Sequence, residues 1–561
     1  MPENSIDSCL HLSELKRQVT HQGDRKIRKS FRILEVKTSN KHRLRYSLDG
    51  VVDEPFPESF AHFDFFESGQ HRGGKASQVT ILLGQNGSGK SRLMRDIISI
   101  FNLVESNSNR VPMAQARINC VKYIKYRCNG NLYEIFVSES REIIGAVNHR
   151  NCSLTDILLP TRMIASSSSP FDKFPYPKTR KQTATALKSQ DTYAYLGLKD
   201  RSGRASGSRA LMNTIANLAE IKSKENKRNI AISEIFRFLG YKPILNLVYT
   251  FSGSLGRYDQ FFESEMFESD AFGSSSGEFV QSSYRNELEY IDGDRKRHPQ
   301  MMPDSLIRTI ATQLRIRSFS KAQLYEAYRD IMRNLERPKT IDLRLDFNVK
   351  YESDGNFANI QILRKAGILR LRKVESFRIG GGKLDFKDVS SGEFAIALGI
   401  IGIASAIEDG ALVFIDEPEI SLHPAWQDKY LEILMNSFSS FSGCHFVLAT
   451  HSPLILSDID PKKSNIVMMG SDNDIEASEV SGASADELLL NAFDVTSGNN
   501  SYLKQQLTIA LTLISEGKFE GDQFLSLTEE LSQVLEKMDK ENRAYTLIEN
   551  ILSVGEREPL K

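Results

Sequence analysis

Three largely apolar segments of strand length stand out in the pattern of hydrophobic and polar positions. They are SQVTILLG (77–84), ALVFID (411–416) and CHFVLATH (444–451), and segments with helical spacing flank them. Strands that are apolar on both faces are typical of a parallel sheet covered by helices. We therefore predict a parallel core sheet that contains these three strands.

A second set of segments alternates apolar and polar residues. It comprises FRILEVKTS (31–39), HRLRYSLDG (42–50), RINCVKYIKYRC (117–128) and LYEIFVSES (132–140). Alternation with a period of two is typical of strands with one face in the core and one in water. These segments predict an antiparallel sheet in the N-terminal part of the chain.

The remaining stretches carry weaker patterns. Residues 167–210 are rich in Ser, Lys, Pro and Gly and are predicted as loops, whereas 205–345 has mostly helical spacing. Segments 344–353 and 357–365, joined through an Asp-Gly turn, are predicted as a β-hairpin. The chain is predicted to be helical from about residue 495 to its end.

Composition narrows the class of protein. The 561 residues carry 72 basic and 72 acidic side chains, so the net charge is zero and a globally basic nucleic-acid binder is not indicated. The five cysteines lack metal-ligand spacing, which is typical of reduced thiols in the cytosol. The apolar run 394–407 is shorter than the ~20 residues of a membrane-spanning helix and is predicted to be a buried helix. We expect a cytoplasmic protein without a membrane domain.

Local basic clusters leave a contact with DNA open. A solvated protein face is the alternative interpretation, because acids are interspersed or the segment is a predicted loop. The clusters are Arg25, Lys26, Arg28 and Lys29; Lys222–Arg228; and Arg295, Lys296 and Arg297.

The sequence GQNGSGKS follows the first apolar strand and precedes an amphipathic helix. It matches G-x-x-x-x-G-K-S/T, the Walker A phosphate loop, in which backbone N–H groups surround phosphate oxygens at a helix N-terminus. Lys90 is predicted to reach the β- and γ-phosphates of ATP, and Ser91 to contact Mg²⁺. The predicted nucleotide-binding residues are Gly84, Gln85, Asn86, Gly87, Ser88, Gly89, Lys90, Ser91 and Arg92.

Two adjacent acids, Asp416 and Glu417, end the second apolar strand. A solvated turn would explain such a pair if it stood alone. Beside a phosphate loop, Asp416 is predicted to be the second Mg²⁺ contact, and Glu417 the general base that orients the attacking water.

VSSGEFAIALGI (389–400) lies between these motifs and resembles the signature of the ABC-type ATPases, Leu/Val-Ser-Ser/Gly-Gly-Glu/Gln. In that family, the helix that begins there faces the γ-phosphate bound by the other subunit. The resemblance assigns that role in trans to Ser390, Ser391, Gly392 and Glu393. An ordinary helix N-cap fits the same residues, and the two interpretations are compatible.

Two further segments fit the ABC-type pattern. Residues 421–424 (Ser-Leu-His-Pro) stand where that family has its D-loop, and His451 stands where it has the switch histidine that contacts the γ-phosphate. The resemblance thus adds His451 to Glu417 as a catalytic residue. The family's Q-loop glutamine has no counterpart in MIASSSSPFDKF (163–174), which covers that region.

The resemblance implies the fold class. It is an α/β P-loop NTPase of ABC type: a two-lobed head with a mixed antiparallel sheet and a parallel core sheet, a helical insertion and a helical C-terminal tail. The expected units are an N-terminal lobe with the phosphate loop (1–200), a mainly helical insertion (201–345), a C-terminal lobe (346–490) and a helical C-terminal segment (491–561). The expected assembly is a head-to-tail homodimer, or a higher even oligomer, with ATP and Mg²⁺.

The large insertion between the two lobes makes the chain similar to the SMC-like and OLD-like branch of the ABC-type ATPases. The motif set most resembles the stand-alone ATPases of prokaryotic anti-phage modules, above all the PtuA type of Septu and retron systems. That resemblance implies a partner nuclease, such as an HNH protein, and contact with DNA or retron RNA/DNA. Asp472 and Asp474 are interpreted as a hairpin turn, so a Toprim nuclease domain is not expected. A DNA-repair ATPase and a nucleotide-dependent scaffold with little turnover stay open as alternatives.

Overall fold

The structure is a computed structural model that describes most of the chain. The described residues are 30–39, 60–65, 76–84, 87–116, 120–138, 140–176, 192–199, 203–207, 226–253, 255–264, 304–315, 318–334, 340–348, 355–386, 388–456, 459–469, 501–515, 521–538 and 543–555, with the single residues 210, 212, 214, 215, 218, 267 and 518.

The described part contains sixteen strands and fourteen α-helices. The strands are β1 Phe31–Ser39, β2 Phe60–Asp64, β3 Gln78–Leu83, β4 Val121–Cys128, β5 Asn131–Val137, β6 Ile143–Val147, β7 Arg150–Cys152, β8 Met163–Ser167, β9 Tyr193–Leu196, β10 Tyr241–Phe251, β11 Ile341–Asp346, β12 Leu369–Arg378, β13 Lys383–Asp385, β14 Leu412–Asp416, β15 His445–Ala449 and β16 Ser464–Met468. The helices are α1 Lys90–Glu105, α2 Met113–Ala116, α3 Asn226–Phe238, α4 Leu255–Phe262, α5 Asp304–Arg315, α6 Lys321–Asn334, α7 Gly355–Lys365, α8 Ser391–Ile396, α9 Gly402–Ala406, α10 Pro424–Asp428, α11 Tyr430–Ser437, α12 Ser501–Ser515, α13 Asp522–Lys537 and α14 Arg543–Gly555.

The three predicted apolar strands lie side by side in a parallel sheet. Its strand order is β16-β3-β15-β14-β8-β9, and every neighbouring pair is parallel. All residues of β3, β14 and β15 are buried, as the prediction required. The register places Asp416 beside Ala449 and Ala449 beside Leu82, so the carboxyl ends of the three strands meet at one edge. Ligand sites of parallel α/β sheets form at this edge.

A six-stranded antiparallel sheet, of order β2-β1-β4-β5-β6-β7, packs beside the parallel sheet. Its strands β1, β4 and β5 confirm the prediction for the described parts of 31–39, 117–128 and 132–140. Residues 42–50 lie outside the described part. His445 connects the two sheets: its Nδ1 accepts the N–H of Ile33, 3.1 Å away, and its Nε2 lies 2.9 Å from Oγ1 of Thr80. Burial, with a smaller effect of the Arg32 charge, lowers the pKa of His445 well below its ordinary value. The neutral ring therefore donates from Nε2 to Thr80.

The expectation of a mostly helical segment 205–345 is wrong in part. It contains the 11-residue strand β10 and the strand β11, which join β12 and β13 in a third sheet of order β11-β10-β12-β13. Leu245, Leu247 and Tyr249 are fully buried at alternate positions of β10, so a period-two signal was present. We call this four-stranded sheet the insertion sheet.

The predicted hairpin of 344–353 and 357–365 is also wrong. β11 pairs with β10, from far earlier in the chain, and 357–365 belongs to helix α7. Phe357, Ile360 and Leu363 are buried at helical spacing, and α7 packs against α6. The region 167–210, expected as loops, adds the short edge strand β9. Tertiary packing decides between helix and strand for such short apolar segments.

The buried helix predicted at 394–407 is confirmed. α8, a π-helical turn at Ala397–Ile401 and α9 form one helical run beneath the parallel sheet. The predicted C-terminal helices are α12, α13 and α14, whose buried side chains form a separate hydrophobic cluster. Within the described residues, every helix is too short or too polar to cross a bilayer. The proposed domain boundaries stay predictions.

Candidate phosphate-binding site

The phosphate loop turns sharply between β3 and α1. A Cβ atom at Gly84, where φ is +149°, would lie 2.3 Å from the carbonyl oxygen of Met469, so only glycine fits there. Gly89 precedes α1 with φ +103°, again in the left-handed region. The strand, glycine turn and helix N-terminus therefore follow in the order that anion binding requires. Gln85 and Asn86 lie outside the described residues.

Lys90 is folded back into the loop and is only 4% exposed. Its Nζ donates to the carbonyl oxygen of Gly84 at 2.7 Å and lies 3.4 Å from both Ser88 Oγ and His451 Nδ1. Burial lowers the pKa of Lys90 to about 8, while the charges of Asp416, Glu417 and Glu419 act in the opposite direction. The ammonium group thus lies inside a ring of acceptors at the mouth of the loop.

Ser91 and Asp416 meet at the shared edge of the sheet. The Ser91 hydroxyl donates to Oδ1 of Asp416 at 2.9 Å, although the two residues are 325 positions apart. Asp416 is 2% exposed, and burial raises the pKa of its carboxyl group to about 7, with the hydrogen bond from Ser91 acting against burial. A hydroxyl and a buried carboxylate that touch each other form the oxygen donor set that Mg²⁺ prefers.

Glu417 is held in an unusual backbone conformation just past β14. Its φ is +50°, although it is not glycine, and its N–H donates to the carbonyl oxygen of Ala449 at 2.9 Å. Such left-handed residues cost of order 1 kcal/mol and concentrate at functional sites. The turn directs the partly exposed Glu417 carboxylate towards His451, whose Nε2 is 3.9 Å from Glu417 Oε1.

His451 follows β15 at the same edge. Burial, together with the positive charge of Lys90, lowers the pKa of His451 to about 4. The ring is therefore neutral near pH 7, and its Nδ1 accepts from Lys90. The predicted residues Lys90, Ser91, Asp416, Glu417 and His451 thus form one cluster, which we call the phosphate-loop cluster.

Two acids near the cluster were not predicted. Glu419 accepts the backbone N–H of His451 at 2.7 Å, and burial raises the pKa of its carboxyl group. Asp172, 4% exposed, lies in the loop after β8, where it accepts from Tyr195 at 2.8 Å; its charge raises the pKa of Asp416. Glu419 could have been suspected from its place just after the Asp-Glu pair, whereas nothing local indicates Asp172.

The signature turn, residues 390–393, begins helix α8 with a complete capping box. The Ser390 hydroxyl accepts from the N–H of Glu393 at 3.3 Å, and Glu393 Oε2 accepts from both the N–H and the O–H of Ser390 at 2.9 Å. Ser390 and Ser391 are exposed. The cap that was weighed as an alternative is therefore present, and it leaves the two serines at the surface.

The segment at 421–424 packs against the signature turn. A Cβ atom at Gly392 would lie 2.9 Å from the Trp426 ring and 3.1 Å from the carbonyl oxygen of Ser421, so these surfaces are in direct contact. His423 caps α10 by accepting from Ala425. Gln427 then donates to the carbonyl oxygen of Leu422 at 3.0 Å and accepts from Ser452, next to His451, at 2.6 Å. Helix α10 thus connects the signature turn to the histidine strand end.

The other predicted features are only partly described. Asp472, Asp474 and the basic clusters at 25–29 and 295–297 lie outside the described residues. Of the cluster 222–228, Lys227 forms an ion pair with Asp409 at 2.8 Å and Arg228 donates to the carbonyl oxygen of Ile407 at 2.7 Å. These two cations are engaged within the chain, which argues against their use on nucleic acid.

Four features define the class of protein. They are the phosphate loop between β3 and α1, the Asp-Glu pair after β14, the histidine after β15, which lies between those two strands, and the adjoining antiparallel sheet. The chain has the α/β fold of a P-loop ATPase of ABC type, with mixed antiparallel and parallel sheets. This confirms the predicted fold class.

Comparison with known proteins agrees with this class over part of the chain. Residues 244–457 match a family model described as "AAA domain, putative AbiEii toxin, Type IV TA system". The match covers less than half of the chain and includes the signature turn, the Asp-Glu pair and His451, but not the phosphate loop.

Two curated relatives match short segments. Protein ea59 of Escherichia phage lambda is 26% identical over 127 residues, which is 20% of this chain and 23% of that protein. The "Retron Vc95 probable ATPase" of Vibrio cholerae serotype O1 biovar El Tor is 38% identical over 56 residues, which is 10% of each chain. The chain thus spans about a quarter or less of these relatives.

Similar solved structures include two Smc head domains. The head with an extended coiled coil bound to the C-terminal domain of ScpA, from Pyrococcus furiosus, has a TM-score of 0.28 and 10% identity over 78% of this chain and 93% of that one. The head with a coiled coil and joint from Pyrococcus yayanosii has a TM-score of 0.27 and 11% identity over 81% and 98%. At these scores the likeness adds nothing to the sheet topology, which defines the fold by itself.

Proposed function

We propose that the protein binds ATP with Mg²⁺ and hydrolyses it. The observation that carries this proposal is the hydrogen bond between Ser91 and Asp416, because it joins the phosphate-loop segment to the carboxyl end of β14. Lys90 and His451 lie at the same point, so cationic, hydroxyl and carboxylate groups converge where a triphosphate would sit.

Ser91 and Asp416 are the residues that would hold Mg²⁺. Their fit rests on the donor set, since both offer oxygen atoms and the buried Asp416 carboxylate gains from a nearby cation. When bound, the ion would neutralise charge on the phosphate oxygens. Lys90, once released from the Gly84 carbonyl oxygen, would also neutralise charge on the phosphate oxygens.

Glu417 is proposed as the general base that orients the attacking water. Its carboxylate is only partly buried and lies 3.9 Å from Nε2 of His451. The neutral His451 is proposed to donate from one ring nitrogen to the γ-phosphate, while Glu419 fixes its backbone. Positioned general bases contribute roughly 10²–10⁴-fold to rate.

The second half of each site is proposed to come from another copy of the chain. Ser390 and Ser391 are exposed at the N-terminus of α8, where backbone N–H groups and hydroxyls can meet an anion. A head-to-tail homodimer, or a higher even oligomer, would place this turn against the γ-phosphate of its neighbour.

The test replaces the carboxylate of Glu417 by an amide. Glu417→Gln should release phosphate at least about 100-fold more slowly than wild type, because the amide is a poor base. It should also retain ATP and form a dimer, measured by light scattering with ATP. Glu432→Gln, an exposed glutamate on α11, is the matched control.

The outcomes separate the candidate functions. Wild-type turnover in Glu417→Gln would disprove the general-base role. Tight ATP binding by the wild type without phosphate release would indicate the alternative, a nucleotide-dependent scaffold. Full turnover by a monomer would disprove the shared site.

We further propose a cellular role in anti-phage defence, with a separate nuclease, such as an HNH protein, as the partner and with DNA or retron RNA/DNA as a contact. The support is the segment similar to the retron ATPase and the family model whose description names a toxin system.

Efficiency of phage plating, in cells with the intact gene cluster, tests this role. Glu417→Gln and Lys90→Met should both abolish protection; protection by both variants would contradict it, as would equal plating without the cluster.

A further inference from the structure

The two carboxylate oxygens of Glu393 have different partners. Oε2 accepts from Ser390 within the capping box, whereas Oε1 accepts from the hydroxyl of Tyr241 at 2.9 Å. Tyr241 is the first residue of β10 and precedes Glu393 by 152 positions. A residue of the insertion sheet therefore completes the hydrogen bonding of the signature turn.

Tyr241 is itself firmly placed. Tyr241 is 1% exposed, and it pairs with Arg378 across the β10–β12 ladder. The guanidinium carbon of Arg378 lies 5.8 Å from the centre of the Tyr241 ring. From Arg378 the chain passes through β13 directly into the signature turn, so the insertion sheet supports that turn through both the backbone and a side chain.

A second contact reaches the same helix from the segment that follows β9. A Cβ atom at Gly207 would lie 2.9 Å from the ring of Phe394, which follows Glu393 in α8. The first turn of α8 is thus approached both from the insertion sheet and from the segment after β9. The Tyr241 hydroxyl is the polar one of the two, and it can fix an orientation as well as a distance.

The Glu393 carboxylate is charged at neutral pH. Partial burial raises its pKa, but the hydrogen bonds from Ser390 and Tyr241 and the charge of Arg378 outweigh burial and lower it below the ordinary value. Hydrogen bonds to an ionised acceptor are about twice as strong as neutral ones. The Tyr241 hydroxyl supplies one of three hydrogen bonds to this carboxylate, and its loss would leave the carboxylate that accepts from the Ser390 hydroxyl bonded by the capping box alone.

We propose that Tyr241 is a positioning residue, which holds Glu393 and, through it, the Ser390 hydroxyl in the orientation presented to the nucleotide of a second copy. This inference rests on the proposed function, because it requires a signature turn that acts in trans. It makes the insertion sheet a structure through which events outside the ATP site can alter hydrolysis.

The experiment removes one oxygen atom. Tyr241→Phe should lower kcat about tenfold, the change expected when a hydrogen bond to a charged group is lost. Binding of ADP with Mg²⁺, which is proposed to use the phosphate loop of one chain, should change less than about twofold by calorimetry, since the hydrogen bond of the Tyr241 hydroxyl goes to the signature turn. ATP-dependent dimerisation in the Glu417→Gln background should weaken in parallel with kcat.

Tyr249→Phe is the matched control. Tyr249 lies on the same strand, is fully buried and pairs with Ile341 and Leu371, on the strands next to β10. It should match wild type in kcat even if both phenylalanine variants lose the same thermal stability. A wild type that neither hydrolyses ATP nor dimerises would overturn the proposed function; an active wild type with equal kcat in Tyr241→Phe and Tyr249→Phe would overturn only the positioning role.

A double-mutant cycle with Glu393→Gln distinguishes positioning from packing. The amide oxygen of glutamine can replace Oε2 in the capping box, and its NH2 group then faces Tyr241, whose hydroxyl accepts instead of donating to a charged oxygen. This neutral contact is weaker, so Tyr241→Phe should cost less in that background than in wild type. Independent, multiplying effects would contradict the proposal. If Tyr241→Phe fails to fold, Glu393→Gln alone still tests it: kcat should fall with ADP binding intact, and an unchanged kcat would refute the role of the Glu393 charge.

Discussion

The phosphate-loop cluster and the signature turn differ in how their polar groups are satisfied. In the cluster, Lys90, Ser91, Asp416 and His451 contact one another and are mostly buried. In the signature turn, the Ser390 side chain bonds within its own cap, and the residue is exposed. In the first region, the groups that we propose to bind the phosphates all come from one chain. The second offers its groups outward, so the proposed use of Ser390 needs a second molecule.

The largest effect is expected at the centre of the cluster. Lys90→Met should weaken ATP binding about 100-fold, because an ammonium contact to phosphate is worth roughly 3 kcal/mol. The free energy of unfolding should stay equal or rise, since burial of the amine, which lowers its pKa to about 8, is unfavourable. Calorimetry and thermal melts measure both, with the exposed Lys429→Met as control. Undiminished ATP affinity would show that the cluster is not the nucleotide site.

The next change separates the two regions. Gly392→Ala forces the signature turn away from Trp426 and Ser421, at a cost of about 1–3 kcal/mol. ATP hydrolysis and ATP-dependent dimerisation should fall about tenfold or more, while binding of ADP with Mg²⁺ stays near the wild-type value. Gly380→Ala, where a Cβ atom meets open space, is the control. Equal loss of ADP binding would mean that the two regions are not separable.

The last effect concerns stability and leaves the comparison of activities unchanged: it is a difference in acid response. The folded-state pKa of His445 is far below its unfolded value near 6.5, so the unfolded chain takes up an extra proton as pH falls and stability is lost. The stability advantage of wild type over His445→Gln should shrink, by up to about 1.4 kcal/mol per pH unit, as pH falls below roughly 6.5. The raised pKa of Asp416 makes stability change with pH in the opposite direction. This contribution is present in both proteins, so it cancels in the difference between them.

Glu393→Gln provides the contrast. The folded-state pKa of Glu393 is lowered, so its contribution is complete above the unfolded value and is lost only as pH falls below about 4.5. Its difference from wild type should therefore stay constant from neutral pH down to about pH 4.5. Denaturant titrations at several pH values measure both differences, and parallel slopes for the two variants would contradict this assignment.

Prediction from sequence succeeded where a short pattern carries its own physical signal. A continuous apolar run ends at Asp416, and a glycine turn leads into the helix that begins at Lys90; both fix their elements locally. It failed for 357–365, where Ile360 and Ile362 suggest a strand while Phe357, Ile360 and Leu363 suggest a helix. Packing of α7 against α6 decided that case.

The sequence by itself determined the three buried strands, the phosphate loop, the order of the motifs and the residue types available for catalysis, because these depend on neighbours within about ten positions. Only the tertiary structure decided that Ser91 meets Asp416, that Glu419 holds the backbone of His451 and that Tyr241 bonds Glu393. Contacts between residues distant along the chain depend on strand order and register, and a local pattern fixes neither.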